Sequence, residues 1–228
     1  MENKTTFPHG FYNINKPQGW TSFDVVNKFK HLSGEKKIGH AGTLDPLATG
    51  VLVVAVGKKF TTQLTELTGT DKEYEFEVTF GIETESHDLD GAVVTNLPPV
   101  GLTQEKIEEA MQQFLGEIDQ FPPKYSAIKK DGKKLYEYAR EGIEVVIDSR
   151  RVKIYSFELL SFTEAEYPQA CFRSKVSKGT YVRSLAYDLG VALGTVGVCS
   201  QLVRTAVGDF LLKDSKELTS FYEDTKSE

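Results

Sequence analysis

Residues Ile38 to Leu52 read IGHAGTLDPLATGVL, in which three glycines (Gly39, Gly42 and Gly50) bracket a single acid, Asp45. A continuous apolar run from Val51 to Val56 follows. Glycine admits backbone conformations and close approaches that a side chain blocks. Pro46 pushes Asp45 out of the helical region, so its carboxylate sits on a stiff, extended backbone. The valine-rich run reads as a buried strand that anchors one end of the loop. One rigid carboxylate beside flexible joints and a basic aromatic neighbour, His40, has the composition of a site. A glycine-rich structural turn has the same composition, with Asp45 as a turn residue. A phosphate-cradling loop fits poorly: Gly57-Lys58 is followed by Lys59 rather than Ser or Thr, and Leu52 stands where the first glycine belongs.

With 228 residues, 39% hydrophobic and 26% charged, the chain has the makings of one sizeable soluble domain. No apolar stretch approaches a membrane span, and the opening MENKTTFPHG lacks the apolar core of a leader. Cys171 and Cys199 stand apart, without metal-ligand spacing, so neither a disulfide framework nor a metal site is expected. A reducing, cytoplasmic compartment and a monomer are the simplest expectations. The formal charge of −6 speaks against a generic nucleic-acid binder. Bases nevertheless cluster at Lys36-Lys37, through Lys129, Lys130, Lys133 and Lys134, at Arg150-Arg151-Lys153 and from Arg173 to Arg183, so an acidic protein with a basic face is expected.

Along the chain, GFYNIN (10–15) predicts a strand and KPQG (16–19) a turn. Thr21 or Ser22 caps a helix with Val25, Val26, Phe29 and Leu32 as its stripe, stopped by Ser33-Gly34. A short helix is expected from Thr61 to Leu67. KEYEFEVTFG then alternates cleanly, with Tyr74, Phe76, Val78 and Phe80 on one face. The acidic stretch ETESHDLDG fails as a calcium loop, because Ser86 and Leu97 fall where ligands belong, and reads as a polar loop feeding a strand at Ala92 to Thr95. Thr103 caps a helix bearing Ile107, Ala110, Met111 and Phe114, and Gly116 ends it.

From Phe121 to Ile147 lysines interleave with Tyr125, Tyr136 and Tyr138 around a hairpin turn at Asp131-Gly132 and a short helix near Leu135 to Arg140, a mixture suited to phosphates and unstacked bases. Strands are expected from Arg151 to Phe162 and from Gln169 to Val176. Val182, Leu185, Ala186 and Leu189 predict a helix from about Thr180 to Gly190. Arg183 falls in its first turn, off the apolar face, where positive charge opposes the helix dipole by roughly 0.3–1 kcal/mol unless an anion answers it. QLVRTAVGDF runs into a strand, and Asp214 caps a last helix through Tyr222.

GHAGTLDPLATGVL closely resembles the catalytic motif of the TruB family, the tRNA pseudouridine synthases acting on uridine 55 of the TΨC loop. The resemblance covers about residues 10 to 220 and implies an α+β pseudouridine synthase fold, a mixed and mostly antiparallel sheet with flanking helices and a central cleft. It assigns Asp45 as the essential catalytic residue, paired with Arg183, and Tyr74 as the ring stacked on the target uracil. In the segment resembling NKPQGWTS, Lys16 stands beside the active site; His40 fills the vacated stack, Leu202 lines the uracil pocket and Tyr181 is a pocket wall. Residues 121–147 resemble the segment that closes over the RNA loop. The implied partner is the T-arm stem-loop of tRNA, and the isomerisation requires no cofactor or metal. One catalytic domain is expected, without room for the C-terminal PUA domain that many family members carry.

Overall fold

The computed structural model describes residues 7–223; the opening stretch read for a leader lies, through residue 6, outside them. In chain order the elements are β1 (Gly10–Lys16), α1 (Ser22–Ser33), β2 (Ile38–His40), β3 (Thr49–Val56), α2 (Lys58–Thr61), α3 (Leu64–Gly69), β4 (Lys72–Phe80), β5 (Ile82–Thr84), β6 (Val93–Asn96), α4 (Gln104–Met111), β7 (Gly116–Gln120), β8 (Lys129–Lys130), β9 (Lys133–Lys134), α5 (Leu135–Arg140), β10 (Arg150–Thr163), β11 (Gln169–Val176), α6 (Val182–Ala192), β12 (Gly197–Val207), β13 (Phe210–Leu211), β14 (Lys216–Glu217) and α7 (Ser220–Glu223). They form two compact units, residues 75–201 and the flanking segments before and after, so the boundary falls inside β4 and β12.

In the flanking-segment unit the strand order is β14-β1-β3-β12, with β2 on β3 and β13 on β12. β1 pairs antiparallel with β3 over its whole length, from Gly10 opposite Val56 to Lys16 opposite Gly50. The other edge of β3 is shared. β2 pairs antiparallel with residues Val54 to Val56, and β12 pairs parallel with Thr49 and Gly50. The loop from Ala41 to Ala48 leaves the sheet between those two partners. Seven of the eight β3 residues are buried, which is why the run lacks alternation. Ala41, Val51, Val53 and Val207 form a buried cluster beneath Phe11, Leu64, Leu67 and Phe210.

Helix α1 starts at Thr21, whose side chain accepts from the Asp24 amide while Asp24 accepts from the Thr21 amide, a reciprocal box. Its end is Gly34 in the left-handed region, φ 67°. The single helix expected over 61–67 is instead two short ones, α2 and α3. α2 begins directly at Lys58, and the chain turns at Thr62 and Gln63 before α3. The last helix also differs. Asp214 ends a 3-10 turn, Leu212–Asp214, and α7 begins only at Ser220.

In the unit of residues 75–201 the strand order is β12-β4-β11-β10-β7. β10 pairs antiparallel with both β11 and β7. Phe76 stacks on Phe157 and Phe172 at 6.0 and 5.4 Å between ring centres, Phe157 and Phe172 meet tilted at 5.2 Å, and Phe114 meets Phe157 edge-on. Two hairpins stand off it, β5–β6 and β8–β9. The second turns on Asp131 and Gly132, φ 50° and 85°, the pair of positive dihedrals a two-residue hairpin requires. The sheet is thus mixed and mainly antiparallel with helices beside it, as the family resemblance implied.

Candidate active site

Asp45 sits half-buried near the middle of the Ala41–Ala48 loop. The loop is fastened at many points. The Ala41 amide donates to the Val53 carbonyl at 2.9 Å, and the Ala48 amide to the Asp45 carbonyl at 3.1 Å. Ser22, the alternative cap residue, turns inward instead. Its hydroxyl accepts from the Leu44 amide at 2.8 Å and donates to the Leu44 carbonyl at 3.1 Å, immediately before Asp45. The Gly19 amide donates to the Pro46 carbonyl at 2.9 Å. Gly50 is required by geometry: φ is 96°, and a Cβ there would lie 2.3 Å from the Arg204 carbonyl oxygen.

Lys16, which the sequence places at the start of a turn and the family resemblance beside the active site, is completely buried. Its ammonium donates to the carbonyls of Pro17 at 2.9 Å, Trp20 at 2.6 Å and Pro46 at 3.4 Å. Burial pulls its pKa down to about 8; the Asp45 carboxylate opposes that shift and the Arg204 guanidinium adds to it. Lys16 therefore stands within electrostatic reach of Asp45. His40 ends β2, two residues before Gly42, and burial followed by the charge of Arg204 holds its imidazole below the usual range, so the ring is neutral at pH 7. Tyr74 and Leu202 are buried on β4 and β12, 8% and 6% exposed, strands that neighbour each other in the sheet order.

Arg204 had no place among the expected site residues. Only 1% exposed, it donates from Nε to the Val51 carbonyl at 2.8 Å, from Nη1 to Thr43 at 3.4 Å and from Nη2 to Gly42 at 3.0 Å. Alternation puts it on the buried face between Leu202 and Ala206, but an arginine there reads as a break in the apolar pattern, and its loop acceptors are far away in sequence.

In the other unit, Arg183 is 3% exposed, which corrects the expectation of a first-turn arginine off the buried face. Its Nη1 donates to the Ser86 carbonyl at 2.6 Å and lies 3.2 Å from the Asp88 carboxylate, and Nη2 donates to the Tyr125 carbonyl at 2.9 Å. Asp88, itself 4% exposed, is one anion that answers the charge at this helix start. It lies in ETESHDLDG, where the carboxylates looked like a solvated loop. His87 between these two partners has φ 60° and stacks on Tyr187 at 4.2 Å and 5°. Burial and the Arg183 charge bring its pKa down to about 4.

The start of the 121–147 segment is fastened to the same helix end. Tyr181 caps α6, its amide donating to Gln120 Oε1 at 2.8 Å and its carbonyl accepting from Gln120 Nε2 at 3.0 Å. Ser184 donates to the Phe121 carbonyl at 2.8 Å. Beyond that anchor the bases lie over their own aromatic neighbours: Lys133 over Tyr138 at 4.9 Å, and Lys134 and Arg140 over Tyr136 at 5.2 and 5.3 Å. Lys124 and Lys129 are exposed. Among the described residues no three His, Cys, Asp or Glu side chains stand close enough to hold a metal ion, and no helix is long and apolar enough to cross a membrane.

Residues 30–182 match the model of the TruB family pseudouridylate synthase N-terminal domain. The chain is 46% identical over 217 residues to the tRNA pseudouridine synthase B of Flavobacterium johnsoniae, covering 92% of this chain and 93% of that protein. The chain belongs to the TruB family. The tRNA pseudouridine synthase B of a Nostoc species is 42% identical over 210 residues, which is 92% of this chain and 71% of that relative. Among solved structures, a chain of a Cbf5-Nop10-Gar1 complex matches with a TM-score of 0.70 and 31% identity, over 96% of this chain and 56% of that one. A TruB-family chain is a pseudouridine synthase, an isomerase.

Proposed function

We propose that this TruB-family enzyme isomerises uridine 55 in the TΨC loop of tRNA to pseudouridine, recognising the T-arm stem-loop as a monomer in the cytoplasm. The observation that carries the reading is the similarity to the Flavobacterium johnsoniae tRNA pseudouridine synthase B across 93% of that protein. The intact motif around Asp45 supports it. The reaction breaks the N1–C1′ bond and rejoins the ring through C5, so atoms and oxidation state balance without a co-reactant. A base inside a folded loop must first leave its stack, at a cost of a few kcal/mol.

Asp45 is the catalytic carboxylate. Attack on C1′ and removal of the C2′ proton both start from its ionised form, and a loop pinned at Leu44 and Pro46 suits either. Arg183, the arginine of the matching motif, supplies the guanidinium that keeps the acid charged. Tyr74 stacks on the extruded uracil, Leu202 lines its apolar edge and Tyr181 adds a wall. His40, neutral and half-buried, fills the place the base vacates. Lys16 holds the backbone behind Asp45. Residues 121–147 grip the RNA with Lys124 and Lys129.

The test is site mapping. Incubated with a tRNA transcript, the protein forms pseudouridine at position 55, detected as a carbodiimide-dependent stop in primer extension. A transcript with cytidine at 55 gives none. Modification elsewhere with position 55 untouched would contradict the assignment.

A further inference from the structure

We infer that Arg204 is a positioning residue for Asp45: its buried guanidinium ties together the two limbs of the catalytic loop. This rests on the function proposed above. One limb enters the loop through Gly42 and Thr43; the other leaves it through Gly50 and Val51. Arg204 bonds the carbonyls of Gly42, Thr43 and Val51, at 3.0, 3.4 and 2.8 Å, from its three guanidinium nitrogens. Its own backbone lies opposite Gly50 in the β3–β12 pairing, so close that only glycine fits.

The β2 and β12 pairings leave Val51 to Val53 of β3 between them, and there Arg204 Nε donates to the Val51 carbonyl while the Ala41 amide donates to that of Val53. A guanidinium this buried needs several acceptors to offset its desolvation. Main-chain carbonyls have provided them, and they are the carbonyls flanking Asp45. A planar fork with donors in fixed directions can reach both limbs at once; a lysine ammonium is a single point and cannot. The charge also acts at a distance, since it helps hold His40 neutral and adds to the depression of Lys16.

The experiment compares Arg204→Lys, Arg204→Gln and Asp45→Asn with the unmodified protein, measuring kcat and KM on tRNA, melting temperature, and the pKa of His40 by NMR. A displacement of about 1 Å at a reacting group lowers turnover roughly a hundred-fold. Arg204→Lys is therefore expected to lose about that factor in kcat with KM changed less than two-fold, and Arg204→Gln to raise the His40 pKa as well. Turnover at the unmodified rate in a folded Arg204→Lys, or a rise in KM with kcat intact, overturns the inference. Should both Arg204 variants fail to fold, hydrogen exchange on the unmodified protein decides. Amides from Leu44 to Gly50 exchanging as slowly as those of β3 support a clamped loop, and exchange at the rate of an open turn refutes it. Activity in Asp45→Asn defeats the catalytic reading itself, whereas a dead Asp45→Asn beside a fully active Arg204→Lys defeats only the clamp.

Discussion

Arg183 Nη1 lies 3.2 Å from Asp88 Oδ2, with both side chains nearly sealed from solvent. Removing one partner of a buried pair leaves an uncompensated charge and costs about 3–5 kcal/mol. Two carbonyls also hold this guanidinium, so Asp88→Asn is expected at the low end, about 3 kcal/mol. Urea denaturation measures it. Turnover falls in the same variant, because Arg183 loses one of the groups that fix its direction.

Gly50 and Gly69 make a matched pair of tests. A Cβ at Gly50 would enter the Arg204 backbone in a dihedral region that L side chains rarely adopt, while Gly69, in α3, has nothing within 4 Å. Gly50→Ala is expected to destabilise by about 3 kcal/mol from overpacking and strain together. Gly69→Ala is expected to stabilise by about 0.5–1 kcal/mol. Thermal denaturation of the two variants checks both signs.

The Lys16 pKa of about 8 lies below that of an unfolded lysine, near 10.4. Between those values the unfolded chain carries the extra proton, so stability rises as pH climbs through this window. Activity runs the other way, because the ammonium near Asp45 becomes neutral. Lys16→Met is expected to remove the alkaline rise in stability, and chemical denaturation at pH 7.5, 9 and 10.5 follows it.

His87 titrates near 4 in the folded protein and near 6.5 unfolded. As pH falls from 6.5 through 4 the unfolded state takes the proton first, and stability is lost. Asp188, which burial raises to about 6, acts in the opposite sense, since its folded form is protonated first. The two overlap, so the informative quantity is a difference. Relative to His87→Gln, the unmodified protein is expected to lose stability steadily from pH 6.5 to 4.

Much of the fold could be read locally. Thr21 or Ser22 announces α1, Asp131-Gly132 the hairpin, and the alternation of Tyr74, Phe76, Val78 and Phe80 gives β4. The polar anchors could not. Lys16, Arg183 and Arg204 have the composition of surface residues, and their acceptors are main-chain carbonyls or an acid far away in sequence, which leave no trace in periodicity. Arg183 was expected to meet an anion, yet nothing in ETESHDLDG separates Asp88 from its exposed neighbour Asp90. The break between α2 and α3 escaped for another reason: Phe60, Leu64 and Leu67 keep helical spacing across it.

Whether one ionised carboxylate carries the chemistry is decided most directly by tritium release from tRNA bearing [5-³H]uridine. Asp45→Asn keeps the shape of the side chain and removes its charge. The account predicts no release above background from Asp45→Asn, with tRNA binding within a few-fold of the unmodified protein. Release at the unmodified rate would contradict it.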